Sequence, residues 1–183
     1  ELLERDPAVL VVIHVQQGML SASPTSPADR IVQRIARLID AAKILDIPVL
    51  YTEQNPAGLG ATDAQLAKLL ESRGKPILKT TCSCWRDAAF KEALQATKRE
   101  HVILCGLEAH VCVQQTALDL LRVDYDPFVA TDAVGSRDSE DMKATLERMA
   151  QSGVVLSTSE ALLFELVERC DHPRFKNILR LVK

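Results

Sequence analysis

The sequence has no excess of positive charge and no block of like charge. Its 22 Lys and Arg stand against 25 Asp and Glu, a formal net charge of -3. Proteins that hold nucleic acid or an anionic membrane surface carry a visible basic footprint, so neither partner is expected. Long apolar runs are also missing. The longest spans residues 9–13, far short of the ~20 residues that cross a bilayer. No signal peptide is legible in the residues present. The cysteines, Cys82, Cys84, Cys105, Cys112 and Cys170, are odd in number. That does not read as a disulfide framework, and a reducing, cytoplasmic setting is expected. Cys82-Ser-Cys84 lacks CxxC spacing and a nearby His, which argues against a metal pair. No GxGxxG follows the first strand, which argues against a dinucleotide-binding domain.

What is present is an ordinary globular composition. Of 183 residues, 47% are apolar and 26% charged, enough for one domain over residues 1–183 with a substantial core. Residues 7–15 form a nearly continuous apolar run, the mark of a parallel strand covered on both faces. Residues 48–52, 76–79, 101–107, 127–131 and 153–157 read as further strands. A helix is expected after Ser26 as N-cap, with Pro27 at its first position. Other helices are expected over 64–71, 86–97, 109–122, 136–151, 159–169 and 174–182, with 53–63 a loop. Strands alternating with helices imply βαβ crossovers, hence a three-layer α/β/α open sheet of about six mostly parallel strands. Ligands of such sheets bind outside the carboxyl ends of the strands.

Three strand ends carry reactive side chains: His14, Lys79 and Cys112. Cys112 falls in the first turn of the helix after the 101–107 strand. Unpaired N–H groups and the dipole there favour a thiolate, and a nearby Lys favours it further. A buried packing role for Cys112 is the other reading, since free Cys is commonly buried.

Gly106-Leu-Glu-Ala-His-Val-Cys-Val113 resembles the nucleophile segment of the isochorismatase-like cysteine hydrolases. The resemblance runs along nearly the whole chain. Val11-Val-Ile-His-Val-Gln-Gln17 is similar to that superfamily's first strand, V-I-D-x-Q, with His14 where Asp is usual. Lys79-Thr-Thr-Cys-Ser-Cys-Trp85 resembles K-x-x-x-S-x-F, with Trp for Phe. Thr131-Asp-Ala-Val-Gly-Ser-Arg137 resembles the next strand-end signature. Residues 52–60 and 151–160 resemble the narrower group of isochorismatase domain-containing proteins. The resemblance implies a Rossmann-like hydrolase fold and an Asp, Lys and Cys triad, here His14, Lys79 and Cys112. It implies a cis peptide at Leu107–Glu108 and an oxyanion hole from the N–H groups of Glu108 and Cys112. It also implies a homo-oligomer acting on a small molecule. Gln17 and Trp85 become pocket walls by the same resemblance, with His110 a further candidate; ordinary packing for Trp85 and a surface place for His110 are the alternatives. Zinc-binding members carry D-x-H after the second strand. The stretch Thr52-Glu-Gln-Asn55 has no His, so neither metal nor cofactor is expected. Glu53, Gln54 and Asn55 are assigned to a loop that either lids the site or is simply solvated.

His14 leaves three readings open. It serves as general base, kept neutral by Lys79. Or the site is degraded and the fold binds a ligand or a protein. Or the residue is an engineered change. Cleavage of an amide or imide C–N bond suits a Cys nucleophile beside an oxyanion hole, and that reaction is the expectation for the family chemistry here.

Overall fold

The computed structural model describes residues 1–22 and 27–183. Strand β1 (Ala8–Ile13) is buried at every position. Ala8, Leu10 and Val12 enter one hydrophobic cluster; Val9, Val11 and Ile13 enter another. The period-two alternation of a strand thus feeds two cores, which is why the run reads as uninterrupted apolar sequence. With β2 (Val49–Gln54), β3 (Ile77–Lys79), β4 (His101–Leu107), β5 (Asp126–Gly135) and β6 (Val155–Ser157) it forms a six-stranded sheet in the order β3-β2-β1-β4-β5-β6. Every pairing is parallel. The strand order reverses between β1 and β4, so a crevice opens at their carboxyl ends.

The helices follow in chain order as α1 (Gln17–Leu20), α2 (Ala28–Ile44), α3 (Pro56–Leu59), α4 (Ala64–Leu70), α5 (Ala88–Thr97), α6 (Gln114–Leu121), α7 (Ser139–Ser152), α8 (Ser159–Val167) and α9 (Phe175–Val182). Helices α2, α4, α8 and α9 cover one face of the sheet through Ile35, Leu66, Leu162 and Ile178. Helices α5, α6 and α7 cover the other through Phe90, Leu120 and Met149. Asp87 and Asp138 cap α5 and α7, each accepting two first-turn N–H groups.

Several local expectations change. Ser26 lies outside the described residues, and Pro27 sits just before α2 instead of in its first turn. Strand β2 continues two residues past Thr52, and α3 forms a short turn within the expected loop. The 86–97 helix is divided: Cys84–Arg86 is a separate 3-10 turn. The 109–122 helix opens as a widened π turn, Ala109–Val113. The Leu107–Glu108 bond is trans. The chain turns there through positive φ at Gly106 (129°) and Glu108 (56°). Gly106 is needed for a second reason: a Cβ at this residue would stand 2.1 Å from the Ile13 carbonyl oxygen. Only glycine lets β4 end so close to β1.

Candidate active site

His14 follows β1, Gln54 ends β2, Lys79 ends β3 and Cys112 sits in the turn after β4. Parallel pairing brings these ends to one edge of the sheet. The register sets Gln54 opposite Lys79.

Lys79 is only 2% exposed. Its Nζ donates to Gln54 Oε1 at 2.7 Å, Thr81 O at 2.8 Å and Cys82 O at 3.3 Å. An ammonium has three protons, and three oxygens already take them. Cys112 Sγ, 3.7 Å from the same Nζ, is a fourth and weaker neighbour. Gln54 Oε1 also lies 3.9 Å from Cys112 Sγ. Because Lys79 can only donate, the Gln54 carboxamide must turn its oxygen inward.

The electrostatics of Cys112 differ from the expectation of a favoured thiolate. Burial pushes its thiol up to about 12; Lys79 pulls it down but does not win. Nor is the Cys112 N–H unpaired. The carbonyl of Glu108 receives the N–H groups of Val111 at 2.9 Å and Cys112 at 2.8 Å, with Val113 at 3.4 Å. The π turn gathers these donors onto one oxygen. Cys112 therefore rests here as a neutral thiol with its amide engaged.

His14 is fully buried, with its imidazole pushed down to about 3. Burial is the larger cause and the Lys79 charge the second. The ring is neutral, and Nδ1 and Nε2 have no hydrogen-bond partner among the described residues. Its backbone is also unusual, with φ at 29°. The His14 N–H donates to Thr52 Oγ1 at 3.2 Å.

A polar frame holds the site, and Gln16 is its centre. This buried carboxamide accepts the Gln54 N–H at 2.8 Å and donates to the carbonyls of Gln54 at 3.1 Å and Gly60 at 2.6 Å. Glu53 is buried too, and its Oε1 accepts the N–H and the hydroxyl of Thr62. Glu53 and Gln54 thus belong to the sheet and brace the following segment. The clue in the sequence was polar residues continuing a strand at its carboxyl end. Asp132 tethers the start of α8, accepting from Ser159 N at 2.6 Å and Ser159 Oγ at 2.7 Å.

A cavity of about 250 Å³ opens on Cys112. Gly18, Met19, Leu59 and Val111 supply apolar wall, while Gln54 and Arg137 supply polar groups. Arg137 Nε donates to Glu108 Oε1 at 3.0 Å. The remaining sequence candidates lie off this wall. Gln17 is exposed at the start of α1, and Gln16 is the inward residue of the pair. Trp85 packs on Tyr125, ring centroids 5.5 Å apart, with Lys91 Nζ 4.9 Å above it. The 3-10 turn carries it to the α5 and α6 side. His110 Nδ1 stands 3.1 Å from Ser136 Oγ and its Nε2 3.9 Å from Asp141, which ties it to the start of α7. At the opposite, amino-terminal ends of β4 and β5, Glu1, His101 and Asp126 bring one ligand atom each within 4.8 Å of one another.

The isochorismatase domain model matches residues 8–161. Isochorismatase domain-containing protein 2A of Mus musculus is 40% identical over 154 residues, which cover 84% of this chain and 73% of that one. The structure of MAR1 ribonuclease from Caenorhabditis elegans is 38% identical with a TM-score of 0.89, covering 100% of this chain and 92% of that one. YcaC from Pseudomonas aeruginosa, solved with hexane-2,5-diol and covalent acrylamide, is 25% identical with a TM-score of 0.91 over 99% of this chain and 91% of that one. A strand-end cavity with Lys79 against Cys112, a matching family model over most of the chain and relatives at this identity lead to one assignment: the chain belongs to the isochorismatase family of hydrolase-like α/β proteins.

Proposed function

We propose that this protein is a cysteine hydrolase for small amide- or imide-type C–N substrates. The observation that carries the reading is the buried contact of Lys79 Nζ with Cys112 Sγ, behind the cavity that Cys112 lines. The sulfur attacks the substrate carbonyl carbon, and the C–N bond then breaks to leave an acyl-enzyme that water resolves. Lys79 faces the developing negative charge. The Glu108 and Cys112 N–H groups complete an oxyanion hole once the Cys112 amide leaves the Glu108 carbonyl. Neither metal nor cofactor takes part. The apolar wall suits an uncharged organic substrate of few atoms, and the working form is a homo-oligomer.

The proton is the difficult step. The thiol is raised and the imidazole lowered, so the proton stays on sulfur at rest. His14 thus acts as a weak base, and turnover is slow. The geometry gives support to a second reading, a ligand-binding or interaction protein with a silent site, because neither ring nitrogen of His14 contacts the thiol. An amidase substrate screen on this chain, His14→Asp and Cys112→Ala separates the two. The hydrolase reading expects turnover to rise at least tenfold in His14→Asp and to vanish in Cys112→Ala. Binding of substrates without turnover or adduct in either His14 form would leave the second reading. Acrylamide, held covalently in the related YcaC structure, is a suitable probe: mass spectrometry should find its adduct at Cys112.

A further inference from the structure

Cys82 plays no part in the chemistry above, yet it borders the same cavity as Cys112. It is exposed, in the irregular turn after β3, whereas Cys112 is only 4% exposed. Lys79 Nζ joins the two residues, reaching the Cys82 carbonyl at 3.3 Å and Cys112 Sγ at 3.7 Å. The Cys82 carbonyl oxygen is therefore at most about 7 Å from Cys112 Sγ, which makes the two residues neighbours on the cavity wall; a disulfide further needs their Cα atoms within about 7 Å of each other. The other cysteines are placed differently. Cys84 and Cys105 are fully buried in the two cores, and Cys170 is exposed beyond α8.

We propose that Cys82 is an oxidation site that closes a reversible disulfide onto Cys112, with hydrogen peroxide as oxidant. The accessible Cys82 sulfur attacks the peroxide O–O bond. An S–O bond forms, the O–O bond breaks and one oxygen leaves as water, giving the sulfenic acid. Cys112 sulfur then attacks Cys82 sulfur. The S–S bond forms, the S–O bond breaks, and hydroxide leaves with the Cys112 thiol proton as a second water. The two sulfurs lose two electrons and the peroxide gains them. The bond fills the mouth of the cavity with Cys82 and removes the thiol that faces Lys79. Its effect on turnover rests on the reading of Cys112 as nucleophile; the bond itself does not.

The test treats the reduced full chain with hydrogen peroxide, quenches it in acid, unfolds it and alkylates with iodoacetamide before peptide mapping. Unfolding makes the readout independent of resting thiol reactivity and of any substrate. Cys112 labelling should fall at least tenfold, return after dithiothreitol, and be matched by a linked peptide pair holding Cys82 and Cys112. In Cys82→Ser the reversible protection of Cys112 should disappear. In Cys112→Ala, Cys82 should stop at the sulfenic acid, trapped by dimedone. Equal Cys112 labelling before and after peroxide overturns the proposal. So does protection that persists in Cys82→Ser, or a linked pair formed between two chains or with Cys170.

Discussion

The imidazole of His14 is buried with both nitrogens unpaired among the described residues, and each such polar atom costs about 1–3 kcal/mol. The cost grows in acid. In the folded chain the ring titrates at about 3, against 6.5 for an ordinary His. Between those values the unfolded chain takes a proton that the folded chain refuses, so stability falls as pH drops from about 6.5 toward 3. The loss is on the order of 5 kcal/mol at most. His14→Asn should flatten this acid limb while leaving the neutral-pH limb in place, read from urea midpoints across pH. Asn suits the test because it lacks a titrating group and, like Asp, tolerates positive φ. That tolerance bears on the family pattern as well. The backbone at His14 has a conformation that Asp adopts readily, and a carboxylate there would give Lys79 the anion it lacks. The His14→Asp variant should therefore push the already raised Cys112 thiol further up while supplying a base for its proton, measured as a later rise of alkylation rate with pH.

At the scale of elements, the site depends on how closely β4 approaches β1. Gly106→Ala would drive a Cβ into the Ile13 carbonyl at a positive φ, and should cost at least about 3 kcal/mol, measured by urea unfolding. Two of the strands were plain in the sequence. The 7–15 and 101–107 runs are nearly all apolar, His14 and His101 aside, because both faces of each are covered. The end of β2 was not legible. Glu53 and Gln54 are polar, like loop residues, and only the Gln16 clamp and the pairing with Lys79 make them strand. The π turn at Cys112 was hidden for another reason. Its side-chain spacing resembles an ordinary helix, while the difference lies in the Val113 N–H, which reaches back five residues to the Glu108 carbonyl. Trp85 and Gln17 share this origin: a single short turn decides which way each side chain is carried.

The whole molecule carries a net charge of -3 with no basic block, although a relative of known structure is called a ribonuclease. Nucleic-acid binding depends on phosphate neutralisation and is strongly salt-sensitive. Fluorescence anisotropy with a single-stranded RNA should accordingly show no binding at physiological salt; saturable, salt-sensitive binding would contradict the expectation. Light scattering should give a mass that is a multiple of the chain's own. The sequence by itself determined the layered α/β architecture, because periodicity and burial of apolar strands are local and additive properties. It also placed His14, Lys79 and Cys112 at strand ends, because strand order along the chain is enough to find ends. Only the tertiary structure decided their chemistry. Protonation, hydrogen-bond partners and the neighbourhood of Cys82 depend on distances between segments far apart in sequence, and on burial that no single segment sets. The strand-end thiol is thus visible in the sequence, while its resting proton and the neutral imidazole of His14 are consequences of packing.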